Sequence, residues 1–340
     1  MKILLVKPDH LGDFALALPL FWELTRRFGR DSLRILADPS NREWGRLLPW
    51  LPPVEAVSHP RHAKSGGSIP QSLRAAWNLR PGKSEAPYDH GIELTASRHD
   101  PWGKLWLLLA GARRRSGLAG KYDLLLHHRH PLGTGHQTAR LAQRLPAEWA
   151  VTGTVDPSHF IPPALRHRAA EARGIVIAPF AGQPSKEWPA SHWLELIRQL
   201  RHHAEGGGMA GSPQEIQLIA GPDRVAEARL LASRAGLPPE AVLAPASIGE
   251  TLARLADTRL LLALDTAIAH YGWLTGTPAI QLFAATADPG RWGALLTVRR
   301  FHFPVPCSPC RLPRCNQPSH FCMEGIPVGE VAAAVRAEVG

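Results

Sequence analysis

No stretch of the 340 residues approaches the roughly 20 consecutive apolar positions that a membrane-crossing helix requires. The opening, MKILLVKPDHLGD, sets a lysine before a short apolar run, but the run breaks at Lys7-Pro8-Asp9 and no small-residue cleavage site follows. It reads as a buried first strand, and a cytoplasmic location is expected. There is no Walker loop and no G-x-G-x-x-G, so the two most specific phosphate-cradling signatures are missing. Aromatic residues are not interleaved with basic ones, and no nucleic-acid-binding motif is recognisable, which argues against a nucleic-acid partner. Cysteine is scarce: Cys307, Cys310, Cys315 and Cys322 are the only four, all in one segment.

The apolar share of 44% and charged share of 20% are ordinary for a soluble globular chain. The length exceeds what one hydrophobic core usually serves, so two domains are expected. The net charge of +10 is unevenly placed. Up to residue 170 there are 24 Lys and Arg against 14 Asp and Glu; from 171 onward there are 15 of each. One domain is therefore expected to face an anionic partner: nucleic acid, anionic lipid or a phosphorylated glycan.

Strand and helix patterns alternate. Strands are expected at 2–6, 33–37, 54–57, 88–94 and 122–126, with helices over 14–28, 69–78, 101–110 and 135–145. The segments 59–68 and 80–87 read as exposed loops. Prolines 157, 162 and 163 mark a linker around 156–173. The alternation then restarts, with strands at 174–179, 215–220, 242–244, 260–264 and 279–283. Helices are expected over 190–203, 223–235, 248–256 and 267–275, and 205–212 (EGGGMAGS) as a loop. Such alternation predicts parallel sheets covered on both faces, with ligands beyond the carboxyl ends of the strands.

Four strand-end loops hold residues suited to a sugar-nucleotide transferase. The first, His10-Leu11-Gly12-Asp13, places an aspartate at a helix start, where it serves either as an N-cap or as a carboxylate kept ionised by the helix dipole. A low pKa suits base catalysis when the proton leaves late in an oxocarbenium-like displacement. The second, AGQPSKEWP, offers Gly182, Ser185 and Lys186 before a helix, suited to a diphosphate. The third, LDTAIAH, ends a strand in Asp265 and places Thr266 and Ala267 at a helix start, with His270 one turn in. The fourth is Phe283-Ala284-Ala285-Thr286.

In this order, ILLVKPDHLGD with Ala17-Leu18-Pro19, Lys186-Glu187-Trp188-Pro189, LDTAIAH and LFAATADPGRWG resemble glycosyltransferase family 9, over nearly the whole chain. The resemblance implies an α/β GT-B fold, two Rossmann-like domains whose parallel sheets face across a cleft. The N-terminal, acceptor-binding domain is expected at 1–160. A nucleotide-sugar domain is expected at 174–326, with a Cys-rich tail at 307–322, and a terminal helix over 328–339 within 327–340 is expected to pack back on the first domain. The implied activity is inverting transfer of a heptose from ADP-heptose to a lipopolysaccharide core acceptor or related glycan, without a catalytic metal. Asp13 matches the general base and Lys186 the lysine that neutralises the donor diphosphate. Asp265, Thr266, Ala267 and His270, with Gly182 and Ser185, match the donor site. His10 and Gly12, with Arg113, Arg114 and Arg115 and nearby Lys104 and Lys121, are candidates for an anionic glycolipid acceptor at the inner membrane surface. The chain departs from the family in Ala267 for a glycine, Ala284-Ala285 for Gly-Pro, and Glu187 for a basic residue. Asp223 and Glu227 are candidates for the ribose.

The C-x2-C-x4-C-x6-C spacing allows four thiolates to close a tetrahedral Zn or Fe site with a structural role, and an iron–sulfur cluster is permitted. It is too distant in sequence from the other loops to be assigned chemistry. Relatives that heptosylate proteins carry cysteine-bound iron, so the resemblance leaves a protein-modifying transferase open, along with another NDP-sugar enzyme such as an epimerase.

Overall fold

The computed structural model describes residues 1–60, 68–82, 84–97, 99–205 and 216–339, with the side chains of 203–205 left aside. Most of the loop expected over 205–212, the start of the strand expected at 215, and parts of the loops expected over 59–68 and 80–87 lie outside the described residues. The chain divides into two units, Met1–Phe160 and Ile161–Gly340.

The first unit opens with β1 (Ile3–Lys7), α1 (Leu11–Ala15), α2 (Leu18–Phe28), β2 (Leu33–Ala37), α3 (Trp44–Leu47) and β3 (Val54–Ala56). It continues through α4 (Ile69–Asn78), β4 (His90–Glu93), α5 (Trp102–Leu109), β5 (Arg114–Leu118), β6 (His128–His130) and α6 (Gln137–Ala142). Every residue of β1 is buried, as a central parallel strand covered on both faces demands. A reciprocal capping box between Ser68 and Gln71 starts α4. The strands form one parallel sheet in the order β3-β2-β1-β4-β5-β6.

The second unit runs β7 (Arg173–Ala178), α7 (Ala190–Glu205), β8 (Ile216–Ile219), α8 (Val225–Arg234), β9 (Val242–Leu243) and α9 (Ile248–Ala256). Then come β10 (Thr258–Leu264), α10 (Ala267–Thr275), β11 (Ala279–Phe283), α11 (Pro289–Trp292), β12 (Arg299–His302), α12 (Phe321–Glu324) and α13 (Val328–Val339). Its sheet order, β12-β11-β10-β7-β8-β9, is the first topology repeated. In each unit the chain first winds one way from its opening strand and then returns to wind the other way. The switch points, between β1 and β4 and between β7 and β10, are where doubly wound sheets receive ligands at their carboxyl ends.

Three expectations are corrected. The helix expected over 14–28 is two helices, because the chain turns at Leu16 and Ala17 before Pro19. Residues 123–125 form a 3-10 turn rather than a strand, and strands lie on either side of it at β5 and β6. The strand β12, Arg-Arg-Phe-His, was not expected at all. The terminal helix α13 packs against α7 and β10, burying Val331, Ala332, Val335 and Val339 in the core of the second unit. No helix among the described residues is long and apolar enough to cross a membrane.

Candidate functional site

The carboxyl edge of the second sheet gathers the donor candidates. The loop after β7 carries Lys186, whose Nζ lies 2.6 Å from Asp265 Oδ2 and 3.4 Å from the Asp265 backbone oxygen. Asp265 directly follows β10, and β10 pairs in parallel with β7. Sheet order alone therefore brings together two residues that are far apart in sequence. Thr266 is the N-cap of α10 in extended conformation (φ −144°, ψ 173°), and its side chain makes no capping bond. Its hydroxyl is sealed from solvent without a partner among the described residues. In the first turn of this nine-residue helix the Ala269 N–H already donates to the Thr266 oxygen at 3.2 Å, while the Ala267 and Ile268 N–H groups lie outside the intrahelical ladder, a locus of partial positive charge. Ala267 opens that turn and is half-buried, while His270 is buried within the helix. Gly182 is exposed, with open space where a Cβ would stand.

Ser185 stands differently. Only 2% exposed, it donates its hydroxyl to the Leu312 backbone oxygen at 2.5 Å. Its proton is thus engaged within the protein, unlike that of the Thr266 hydroxyl.

Sequence reasoning missed Arg224. It forms ion pairs with Glu187 and Glu227, both at 2.7 Å, and its guanidinium lies 4.4 Å from the centre of the Phe180 ring. Hydrogen bonding to Glu187 is the largest influence raising the Arg224 pKa, against a smaller effect of burial. Glu187 also accepts from the Ala181 N–H at 3.1 Å. The acid at position 187 therefore comes with a compensating arginine from the next loop, and Glu227, a ribose candidate, is held by the same arginine. Arg300 was missed too: it lies on the exposed strand β12, with its pKa lowered by partial desolvation against the opposing charge of Asp265.

In the first unit, His10 is the exposed N-cap of α1 (φ −67°, ψ 171°), so Asp13 is the third residue of the helix and not its cap. Gly12 and Asp13 are half-buried. The loop is anchored just before them. Lys7 Nζ sits 2.5 Å from Asp9 Oδ2, the Ala96 N–H donates to Asp9 Oδ1 at 3.3 Å, and Asn41 Nδ2 donates to the Asp9 backbone oxygen at 3.0 Å. Burial raises the Asp9 carboxyl, but the Lys7 charge and hydrogen bond, helped by Ala96 and Arg144, outweigh it and hold the group below its ordinary value. Beside it, buried Glu93 accepts from the Thr95 and Leu118 N–H groups, both at 2.9 Å, and Arg144 donates to the Thr95 oxygen at 2.5 Å. Burial pushes Glu93 up despite Arg144. Gly103 and Gly117 make the room for this side chain: a Cβ on Gly103 would come within 2.8 Å of the Glu93 Cγ, and one on Gly117 within 2.8 Å of its Oε2. None of Lys7, Asp9, Glu93 or Arg144 was singled out by the sequence, where Lys7-Pro8-Asp9 read only as the end of a strand.

The arginine candidates lie elsewhere. Arg114 is level with His90, which is level with Ile3 at the start of β1. It thus sits at the amino edge of the sheet, whereas Asp13 follows its carboxyl edge. Arg115 bonds to the Leu125 and Ala112 backbone oxygens at 2.7 and 2.9 Å. Lys104 is fully buried, bonding to the Lys121 oxygen at 2.7 Å and to Asp123 at 3.0 Å. The structure does not bring Arg113, Arg114 and Arg115 or Lys104 to the edge that bears His10, Gly12 and Asp13.

All four cysteines are free thiols; Cys322 is buried, Cys310 half-buried, and Cys307 and Cys315 exposed. Burial first, then the other three cysteines, raises the Cys322 pKa. Among the described residues no three His, Cys, Asp or Glu side chains are arranged as a metal shell.

The family model for glycosyltransferase family 9 (heptosyltransferase) matches residues 146–318. Among solved structures, Escherichia coli heptosyltransferase WaaC with ADP is similar at 16% identity, over 99% of this chain and 100% of that one, with a TM-score of 0.70. E. coli ADP-heptose lipopolysaccharide heptosyltransferase II is similar at 17% identity, over 100% and 98%, with a TM-score of 0.66. The iron-containing dodecameric glycosyltransferase TibC of enterotoxigenic E. coli H10407 is similar at 10% identity, over 99% of this chain and 76% of that one, with a TM-score of 0.54. No curated protein matches in sequence. At these identities the likeness speaks for the fold, which is GT-B.

Proposed function

Because the chain belongs to glycosyltransferase family 9, we propose that this glycosyltransferase moves a heptose, with inversion, from ADP-heptose to a lipopolysaccharide core or related anionic glycan. The observation that carries the reading is the Lys186–Asp265 pair beside the α10 N-terminus at the switch point of the second sheet. There an arriving diphosphate replaces the Asp265 carboxylate on Lys186 with its own oxygens, and the Ala267 and Ile268 N–H groups of α10, with the Thr266 hydroxyl, supply further donors. As the bond between the anomeric carbon and the β-phosphate oxygen breaks, charge grows on ADP, and this fixed cationic edge stabilises it most in the transition state. Similarity to a structure determined with ADP supports an adenine nucleotide.

Asp13 is the proposed base. It takes the acceptor hydroxyl proton as that oxygen bonds to the anomeric carbon from the face opposite ADP. His10 and Gly12 on the same turn are the acceptor contacts, and the basic N-terminal half suits an anionic glycolipid met at the cytoplasmic surface of the inner membrane. Asp13→Asn is expected to lower ADP release from ADP-heptose by about 10^2- to 10^4-fold. ADP affinity should hold within about twofold, since a fold-change below tenfold is under 1.4 kcal/mol. Turnover at the normal rate in that variant, read by a coupled ADP assay, removes Asp13 from the mechanism.

The cysteine segment favours a second reading, a protein O-heptosyltransferase with a structural Zn or Fe at Cys307, Cys310, Cys315 and Cys322. Closing such a shell requires the thiols to converge from their present arrangement. Elemental analysis of the purified protein, with lipopolysaccharide core and a surface protein compared as acceptors, separates the two readings.

A further inference from the structure

The cysteine-bearing segment lies across the donor loops. Ser185 is tied to it at every polar atom: its N–H donates to the Pro313 oxygen at 3.3 Å, its hydroxyl to the Leu312 oxygen at 2.5 Å, and its own backbone oxygen meets His320 Nε2 at 3.0 Å. Because a carbonyl oxygen only accepts, His320 Nε2 is the donor here. Further along, the Cys310 N–H donates to the Ala285 oxygen at 2.9 Å and the Arg311 N–H to the Thr286 oxygen at 3.2 Å. One segment therefore clamps two strand-end loops, the one after β7 and the one after β11.

We propose that residues 306–320 form a strap that sets the shape of the donor site, with His320 as a positioning residue acting through the Ser185 carbonyl. The inference rests on the reading of Lys186 as the diphosphate lysine. The peptide joining Ser185 to Lys186 has its carbonyl held by His320, and the residue before Lys186 is held at N and Oγ as well. Lys186 thus springs from a backbone whose torsions are settled before its ammonium reaches Asp265. Fixing one residue's backbone costs conformational entropy, and a strap that imposes this in the free protein spares a ligand from doing so. The strap also gives the thiols a route to the chemistry: whatever draws Cys307, Cys310, Cys315 and Cys322 together acts on the loop between Cys307 and His320.

The test compares the wild type, His320→Ala and His320→Gln, whose amide keeps an N–H donor, with Lys186→Ala as reference. ADP binding by calorimetry and amide exchange of residues 183–187 in the ligand-free protein are both measured. Loss of one hydrogen bond predicts ADP affinity about five- to tenfold weaker in His320→Ala, with faster exchange at 185–187 and an unchanged far-UV spectrum; His320→Gln recovers most of both. If His320→Ala matches the wild type in exchange and affinity, or His320→Gln restores neither, the strap has no positioning role. If the wild type ignores ADP while exchange still rises in His320→Ala, the donor assignment fails and the strap stands.

Discussion

Each unit places a lysine–aspartate pair at the carboxyl edge of its sheet, and the two pairs are nearly equal in length, 2.5 Å for Lys7–Asp9 and 2.6 Å for Lys186–Asp265. Distance does not distinguish them; exposure and connectivity do. The side chains of Lys7 and Asp9 are 0% and 17% exposed, two residues apart, and walled in by Arg144 and Glu93. Lys186 and Asp265 are 24% and 6% exposed and bridge two strands' loops. A pair whose ammonium is sealed has no cation to offer a ligand. A pair with an open ammonium can exchange its partner for a ligand's oxygen. The first pair therefore secures the turn that carries Asp13, and the second is the one we propose meets the donor.

Substitutions at each pair sharpen the contrast. Lys186→Ala is expected to lower turnover by about 10^2- to 10^3-fold while stability changes by under ~1 kcal/mol, as for a partly exposed ion pair. Equal losses in both, by coupled assay and thermal unfolding, would merge the two classes. Asp9→Asn is expected to cost about 3 kcal/mol of stability at neutral pH, because it leaves Lys7 buried without its charge partner, while ADP affinity stays put. The smallest effect is its pH dependence. The folded Asp9 pKa lies below the ordinary 3.8, so its contribution is complete above that value and is lost as pH falls through the lower folded one. Urea midpoints of wild type and Asp9→Asn should accordingly converge only in strong acid. A constant gap would show that packing rather than charge sets the difference.

Legibility in the sequence followed burial. β10, Thr-Arg-Leu-Leu-Leu-Ala-Leu, and β11 announce themselves as covered strands because nearly every residue is apolar. β5, β6 and β12 begin or consist of arginine and histidine, and their exposed positions erase the apolar signal on which strand recognition depends. At the site, the residue types at positions 13, 186 and 265 could be read from local motifs. That Lys186 meets Asp265 depends on β7 lying beside β10, and that Ser185 meets Leu312 on a segment returning across the sheet edge; neither pairing has a local signature. Lys7 and Asp9, only two residues apart, were hidden for the opposite reason: the same residues that end a strand look like an ordinary turn.

The terminal helix has a practical consequence. Val331, Ala332, Val335 and Val339 fill the interior beneath α7, yet all lie beyond residue 318, where the family match stops. A second-unit fragment trimmed to the matched segment would open a groove along its own core, so any attempt to study that half in isolation must carry the chain through Val339 and attach affinity tags elsewhere.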